Sequence, residues 1–308
     1  MAAAPVLPYR RPVAADDRLM DFDRSLDAPS GAQVRLSPLV ARLLAPNPGP
    51  FTFRGTGVYI LGAGDSVAVI DPGPDLPEHL AALKRAIGAR KVSHILITHT
   101  HRDHSPAARA LKAWSGAATY GFGPHPPAAG EVEEGGDRDF VPDVTLSDGA
   151  LIGGADFTLE CVHTPGHISN HLCFALREEN ALFSGDHVMG WSTTVVAPPD
   201  GSMAQYMDSL EKLIARDERI LYPTHGSPVT RPRAFMRHLL AHRRLREAQI
   251  LSALRRGAGT VTALVEKLYR GVDPALRGAA ASQVQAHLDH LLEKGAVVRD
   301  GLRYRPSP

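Results

Sequence analysis

The 308-residue sequence predicts an α/β domain over residues 1–235, followed by a smaller and mainly helical domain over residues 236–308. Two observations indicate this division. Short apolar runs alternate with amphipathic segments through the first part, which is typical of sheets covered by helices. The charge is also uneven, because residues 1–236 hold 21 basic against 27 acidic side chains, whereas residues 237–308 hold 13 against 6. The two parts therefore present different surfaces.

The first elements of the α/β part have clear local signals. The segment GVYILGAGDSVAVIDPG (57–73) predicts a β-hairpin, because the turn-forming GAGDS joins two apolar runs. PEHLAALKRAI (77–87) has helical spacing, and Asp75 precedes it as a candidate N-cap. Residues 115–150, rich in Gly, Pro and acid, predict a loop that covers a site. The other predicted elements are helices at 107–114 and 202–217 and strands in DFTLECVHT, LCFALREENALFSGD and RILYPTH.

Composition excludes several classes of protein. A net charge of +1 argues against a protein that coats nucleic acid through its overall field. Cys161 and Cys173 lie in strand-like stretches and predict two buried thiols rather than a disulfide or zinc ligands. The N-terminal segment lacks a continuous apolar stretch, so we expect no secretory signal. No apolar run approaches the roughly 20 residues that span a bilayer. We therefore expect a cytoplasmic protein that does not enter a membrane.

Polar clusters follow four of the predicted strands. THTHRDHSP (98–106) comes directly after an apolar run and holds three histidines and an aspartate within six positions. CVHTPGH, ALFSGDH and ILYPTHG end three later strands at His167, Asp186 and His225. Any one of these histidines alone would be best interpreted as an ordinary hydrogen-bonded residue. Because strand ends meet at one edge of a sheet, four such clusters together predict a shared metal site.

HTHRDH (99–104) with the later TPGH, SGD and PTHG resembles the motif set of the metallo-β-lactamase superfamily. The resemblance implies a four-layered αββα sandwich that binds two metal ions. By resemblance, the first ion would bind His99, His101 and His167, and the second would bind Asp103, His104 and His225. Asp186 would bridge the two ions, and Asp71 in VIDPG would support the ligands without binding a metal.

The donor types agree with this expectation. Imidazole nitrogens with a few carboxylates suit two Zn²⁺ ions per chain, although manganese or iron also fits. Two cations roughly 3.5–4 Å apart can share a water molecule and lower its pKa toward about 7. Such a bridging hydroxide would be the nucleophile of a metal-dependent hydrolase. Asp103 and Asp186 are the expected catalytic carboxylates, and His171 is a candidate proton donor or supporting residue.

The other histidines have ordinary interpretations. We expect His94 to be packed inside its strand, His163 to be a hydrogen-bonded strand residue, and His187 to point away from the metals. Surface or core positions are expected for His79, His125, His238, His242, His287 and His290.

The C-terminal part predicts a winged helix. Helical segments at 235–251, 260–269 and 279–297 precede VVRDGLRYRP (297–306), a two-stranded wing that turns at Asp300–Gly301. We favour a module that covers part of the hydrolase, or forms a homodimer, over one that reads nucleic acid, because no base-reading pattern is evident.

With NPGPFTFRGTGVYILG (47–62) and YMDSL (206–210), this arrangement resembles the lactamase-beta-like protein 2 subfamily. Its relatives include endoribonucleases of single-stranded RNA and thioesterases that release polyketides from acyl carrier protein. We favour single-stranded RNA, because Arg243, Arg244 and Arg246 could form a positive strip beside the site. An acyl thioester, which an apolar rim at Trp191 and Val195 would favour, is the alternative. A glyoxalase II-like thioesterase, a lactonase, a β-lactamase, a mononuclear iron dioxygenase and a metal-sensing winged-helix regulator also remain open.

Overall fold

The computed structural model describes residues 22–26, 28–127 and 135–308. Residues 1–21, which make up most of the N-terminal segment in which we expect no secretory signal, lie outside the described residues. Within the described part, two β-sheets stack face to face and helices cover their outer faces. The predicted four-layered αββα arrangement is therefore confirmed.

The first sheet joins an antiparallel half to a parallel half. Its strands lie side by side in chain order, with antiparallel pairing as far as the fourth strand and parallel pairing after it. The strands are β1 (Gln33–Arg35), β2 (Val40–Leu44), β3 (Gly57–Leu61), β4 (Ser66–Ile70), β5 (Lys91–Leu96), β6 (Ala118–Gly121) and β7 (Val144–Thr145). Helices α1 (Pro77–Ile87) and α2 (Ala107–Ser115) cover its outer face. Asp75 does not cap α1: Leu76 occupies the N-cap position, and the Asp75 carboxylate lies 3.9 Å from Arg109.

The second sheet has the order β12-β11-β10-β9-β8, and only its β11–β12 pair is parallel. Its strands are β8 (Leu151–Gly153), β9 (Thr158–His163), β10 (Leu172–Leu176), β11 (Ala181–Gly185) and β12 (Ile220–Pro223). Alternation along β10 places Leu172, Phe174 and Leu176 between the sheets and turns Cys173 toward the outer helices. Cys161 faces the inter-sheet core instead, so the two buried thiols lie on opposite faces and stay free, as predicted.

Helices α3 (Met203–Ile214) and α4 (Pro232–Arg255) cover the outer face of the second sheet. The C-terminal elements are α5 (Val261–Leu268), a 3₁₀ turn (Pro274–Leu276), α6 (Arg277–Glu293), β13 (Val297–Asp300) and β14 (Arg303–Pro306). Helix α4 runs through the predicted domain boundary at residue 235 and contributes to two cores. Its Met236 and Leu239 pack on the second sheet, whereas Ile250 and Leu254 pack with α5, α6 and the wing. None of the helices in the described ranges is long and apolar enough to cross a bilayer.

Buried polar side chains line the contact between α4 and α6. His287 is fully buried, 3.8 Å from the carboxylate of Glu247, and His242 lies close to it with Arg243 and Arg246. Burial lowers the pKa of His287 to about 4 and that of His242 to about 3. Both imidazoles are therefore neutral in the folded protein at pH 7.

We predict that His287 makes the protein sensitive to mild acid. A histidine with a lowered pKa in the folded state is protonated first in the unfolded chain, so stability is lost as pH falls below about 6.5. In His287→Gln, the loss of unfolding free energy between pH 6.5 and pH 5 should shrink by on the order of 1 kcal/mol per pH unit, measured by urea denaturation. The exposed His238→Gln is the control, and equal pH slopes in the two variants would contradict the prediction.

Candidate metal centre

All seven predicted metal ligands lie at strand ends on one edge of the stacked sheets. His99, His101, Asp103 and His104 occupy the connection from β5 to α2. His167 follows β9, Asp186 follows β11 and His225 follows β12. None is more than 5% exposed. Both sheets thus deliver nitrogen and oxygen donors into one buried space.

Three imidazoles form the first donor group. His101 Nδ1 lies 3.0 Å from His99 Nε2 and 3.1 Å from His167 Nε2. Three nitrogens this close, with no acidic group among them, form a suitable triad for one transition-metal ion. The structure therefore brings together His99, His101 and His167, the set expected for the first ion.

The second donor group mixes imidazoles with a carboxylate. Asp103 Oδ2 lies 3.0 Å from His225 Nε2 and 3.3 Å from His104 Nε2. Asp186 Oδ2 lies 3.4 Å from His225 Nε2 and 3.5 Å from His104 Nε2. Asp186 also groups with His99, which belongs to the first set. Its carboxylate therefore lies between the two groups, where a bridging ligand is expected.

Hydrogen bonds fix the orientation of four of the five imidazoles. His99 Nδ1 lies 3.0 Å from Thr98 Oγ1, and His104 Nδ1 lies 2.9 Å from Asp71 Oδ2. His167 Nδ1 lies 2.7 Å from Val195 O, and His225 Nδ1 lies 3.2 Å from Gly55 O. The carbonyl and carboxylate partners accept only, and Thr98 already donates to Asp71, so each Nδ1 carries a proton. In the neutral ring every Nε2 is then left unprotonated toward the centre, which is the form that binds a metal.

Asp71 supports the ligand histidines on the side that faces away from the donor atoms. It follows β4 with a φ of 49°, a left-handed backbone that aspartate tolerates. Its Oδ1 accepts a hydrogen bond from Thr98 N at 2.8 Å, and its Oδ2 accepts bonds from Thr98 Oγ1, His104 Nδ1 and Thr224 Oγ1 at 2.7, 2.9 and 3.2 Å. The carboxylate thus ties the residue before His99 to the residue before His225. The geometry agrees with the supporting role that the resemblance implied.

The two donor groups differ in their electrostatics. Burial, together with the neighbouring imidazoles, lowers the pKa of His99 and His101 well below the usual range, so the first triad is neutral. Burial also opposes charge on His104 and His225, but the carboxylates outweigh it there. Asp103 and Asp186 raise the pKa of His104 well above its usual range, and they raise the pKa of His225 to about 10. Without metal, protonated His104 and His225 would balance the negative charges of Asp103 and Asp186.

The residues fit two metal ions. His104 Nε2 and Asp186 Oδ1 are buried and lack a hydrogen-bond partner among the described residues. Buried polar atoms without partners are costly, and a cation that faces both would remove that cost. The mixed nitrogen and oxygen set suits zinc, manganese or iron.

His171 supports Asp186 and has no ring nitrogen left for substrate. Its Nε2 accepts a hydrogen bond from Asp186 N at 3.1 Å, so its protonated Nδ1 donates to Thr164 Oγ1 at 2.9 Å. A Cβ at Gly185 would lie 2.5 Å from His171 Nε2, so only glycine allows this close approach. The geometry thus favours the supporting role for His171, and proton donation stays a prediction.

Four other histidines contact side chains or carbonyls outside the two donor groups. His187 packs on Tyr206 with ring centroids 4.7 Å apart, and His163 stacks on Phe122 while its Nε2 pairs with Ser169 O. His94 lies near Tyr120, and His125 pairs with Thr100 Oγ1 behind the metal loop.

The positive strip expected from α4 is not present. Arg243 is 2% exposed and Arg246 3% exposed. Arg243 donates to Thr194 O at 2.5 Å and packs on Tyr206, while Arg246 packs on Tyr269. Only Arg244 faces solvent, where it pairs with Glu211. The predicted strip was wrong because Arg243 faces the hydrolase core, where it contacts Thr194 and Tyr206, and Arg246 faces the end of α5, where it packs on Tyr269.

The segment 194–196 connects the metal centre to the C-terminal helices. Thr194 Oγ1 donates to Asp186 O at 2.7 Å, and Val195 O accepts from His167 Nδ1. On its other side, Thr194 O accepts from Arg243 of α4, and Val196 N donates to Gln283 Oε1 of α6 at 2.9 Å. Residues 194–196 therefore contact two predicted metal ligands, Asp186 and His167, on one side and helices α4 and α6 on the other.

Several supporting residues were not predicted from the sequence. Thr98 and Thr224 each precede a ligand histidine, in the segments ITH and PTH, and this repeated threonine is a signal that could have identified them. Val195 and Gly55 act through backbone carbonyls, and Gln283 lies far away in sequence. No side-chain pattern in the sequence points to these three.

Family models match most of the chain. Residues 52–225 match the metallo-beta-lactamase superfamily, and residues 260–305 match the beta-lactamase associated winged helix domain. The predicted winged helix is confirmed by this second match.

Curated relatives match along nearly the full chain. The lactamase-like protein ptaB of Pestalotiopsis fici is 30% identical over 91% of this chain and 87% of its own length. An atrochrysone carboxyl ACP thioesterase of Cryptosporiopsis sp. is 29% identical over 94% of this chain and 92% of its own. Among solved structures, a metallo-beta-lactamase family protein of Thermus thermophilus aligns with a TM-score of 0.74 and 25% identity, covering 88% of this chain and 100% of its own.

We predict that Asp71→Asn weakens metal binding about 10- to 100-fold, because loss of a carboxylate behind a ligand histidine typically has this effect. An amide can accept from Thr98 but cannot serve His104 and Thr224 equally well. Metal affinity is measured by competition with a chromogenic chelator. Asp75→Asn, which changes an exposed carboxylate nearby, should bind metal as the unmodified protein does. Equal affinities in both variants would exclude a role for Asp71 in holding the ligands.

We also predict that Gln283→Ala lowers hydrolytic kcat/KM several-fold without unfolding the C-terminal domain. Val196 N would lose its partner, and the segment that holds His167 and Asp186 would loosen. Gln285→Ala is the control, since Gln285 bonds only Asp289 and Tyr304 within its own domain. Steady-state kinetics and circular dichroism of both variants check this. A Gln285→Ala variant as impaired as Gln283→Ala would point to general destabilisation instead.

Proposed function

The chain belongs to the metallo-β-lactamase superfamily and is a hydrolase of that fold, and we propose that it hydrolyses acyl thioesters at a dinuclear zinc site. The main support is the presence of two adjacent donor groups with Asp186 between them. The first group is His99, His101 and His167, and the second is Asp103, His104 and His225. The favoured substrate is an acyl group on an acyl carrier protein, because curated relatives are named atrochrysone carboxyl ACP thioesterases.

Each protein group has a definable task. Bound zinc ions would supply an activated water and polarise the carbonyl oxygen under attack. Asp71 and the backbone carbonyls keep the ligand imidazoles in one tautomer, with the inner nitrogen of each neutral ring ready for the metal. His171 and Thr194 hold the backbone of Asp186 from two sides, which fixes the bridging carboxylate.

The cysteines cannot replace water as the nucleophile. Burial raises the pKa of both Cys161 and Cys173 to about 12, so neither forms a thiolate near neutral pH. Their positions in the two hydrophobic cores also keep them away from substrate. Direct attack of water on the thioester carbonyl, with release of the thiol, is therefore favoured over an acyl-enzyme formed on a cysteine.

The surface beside the centre removes the observation that favoured RNA. The RNA interpretation depended on Arg243, Arg244 and Arg246, two of which are buried and engaged. Met189 and Trp191 pack against Phe53 and are only 5% and 2% exposed, so Trp191 does not form the open apolar rim that the sequence suggested. The names of the relatives therefore carry the preference for a thioester.

We predict that the protein binds two zinc ions per chain and that Asp186→Asn reduces thioester turnover at least 100-fold. A neutral amide cannot balance and space two cations as a carboxylate does. Elemental analysis measures metal content, and a panel of acyl carrier protein thioester, lactone and single-stranded RNA measures specificity. Asp208→Asn on α3, which is outside both donor groups, is the control.

Three outcomes would overturn the proposal. A single tightly bound iron with dioxygenase turnover would exclude the hydrolase assignment. RNA cleavage that Asp186→Asn abolishes, with no thioester turnover in either protein, would instead support the endoribonuclease. Full thioester turnover by Asp186→Asn would show that the reaction occurs elsewhere.

A further inference from the structure

A basic groove lies between α4 and α5, away from the metal ligands. It has a volume of about 450 Å³, and the cationic side chains Arg256, Lys267 and Arg270 line it together with the largely buried Arg246. Gln249 and Ser252 add polar groups, and among the described residues no carboxylate lines the groove. The metal centre uses none of these side chains.

Three cations of the groove have no acidic partners in the described part of the chain. Arg256 bonds the hydroxyl of Ser252, and no carboxylate of residues 22–26, 28–127 or 135–308 forms an ion pair with Arg256, Lys267 or Arg270. Some arginines elsewhere on the surface do pair, as Arg244 does with Glu211 and Arg177 with Glu160. Several clustered positive charges without counter-charges create a field that attracts an anionic partner.

The groove is connected to the metal centre by α4. Arg246 follows Arg243 by three residues, which is about 4.5 Å along a helix. Arg243 in turn bonds Thr194, whose hydroxyl bonds Asp186. Arg256, ten residues beyond Arg246, lies about 15 Å farther along the helix. The groove therefore begins about one helical turn beyond Arg243 and extends along α4 away from the residue that contacts the metal-centre segment, so a partner bound there would leave the metal ligands uncovered.

We propose that this groove docks an acidic surface of the carrier protein that presents the acyl thioester. This inference rests on the proposed thioesterase function. The cations are spread over two helices, which suits a row of carboxylates on a protein surface. A single-stranded RNA is disfavoured, because none of the described residues that line the groove offers an aromatic side chain for base stacking. The thioester would then reach the metals on the carrier's flexible arm.

The test is a charge reversal of the groove. The variant Arg256→Glu with Lys267→Glu is compared with the control Arg255→Glu with Arg277→Glu, which changes net charge equally at exposed positions outside the groove. Substrates are a hexanoyl thioester on an acidic acyl carrier protein and the same hexanoyl group on N-acetylcysteamine and on coenzyme A. Binding of the unloaded carrier protein is measured separately by fluorescence anisotropy.

We expect the groove variant to lose at least tenfold in kcat/KM for the carrier-bound thioester, mainly through KM, and to bind the carrier protein correspondingly less tightly. Hydrolysis of the N-acetylcysteamine thioester should be unchanged, and the control should match the unmodified protein. The affinity of the unmodified protein for the carrier should also fall steeply with added salt.

Other outcomes overturn the inference in distinct ways. Equal carrier binding by the groove variant and the control would exclude docking in the groove. A matching loss with the coenzyme A thioester would mean that the groove binds its phosphates. Loss of single-stranded RNA binding, with carrier binding intact, would assign the groove to nucleic acid. If the unmodified protein hydrolyses no thioester, the proposed function fails, while carrier binding still tests the groove.

Discussion

The site depends on a proton placed on the outer nitrogen of four of the five ligand imidazoles. Buried imidazoles that face one another bind metal only if their inner nitrogens are unprotonated, and the outer hydrogen bonds favour this. The acceptors come from different parts of the chain: a carboxylate at the end of β4, a carbonyl between β2 and β3, and a carbonyl in the loop after β11. The two sheets must therefore stack in one register before the ligands are correctly oriented.

The neutral and charged halves of the site make different demands on the fold. The three imidazoles of the first triad tolerate burial without metal, because their lowered pKa values keep them uncharged. The second group contains buried carboxylates, which require either protons on His104 and His225 or a metal ion. A buried carboxylate without a counter-charge would cost several kcal/mol. Metal binding at this second group therefore exchanges one form of positive charge for another.

Sequence patterns identified the parts of the molecule that depend on local chemistry. Alternating apolar runs gave the strands, and clustered ligands at strand ends gave all seven residues that the structure brings together. Sequence patterns did not predict which side chains tertiary packing turns into the interior. Helix α4 looked like a basic surface helix, yet its Arg243 and Arg246 turn inward, because cation–π contacts with Tyr206 and Tyr269 and a backbone carbonyl satisfy them there. Backbone acceptors such as Val195 O leave no side-chain signal at all.

The inward orientation of Arg243 also connects the C-terminal domain to the metal centre. Arg243 and Gln283 hold the segment that also holds His167 and Asp186, so the C-terminal domain shares its backbone contacts with the metal ligands. Helix α4 is continuous from the hydrolase core to the C-terminal domain, and its Arg243 bonds Thr194 between these two parts. The position of the segment 194–196 beside the metal centre therefore depends on contacts that the C-terminal helices make.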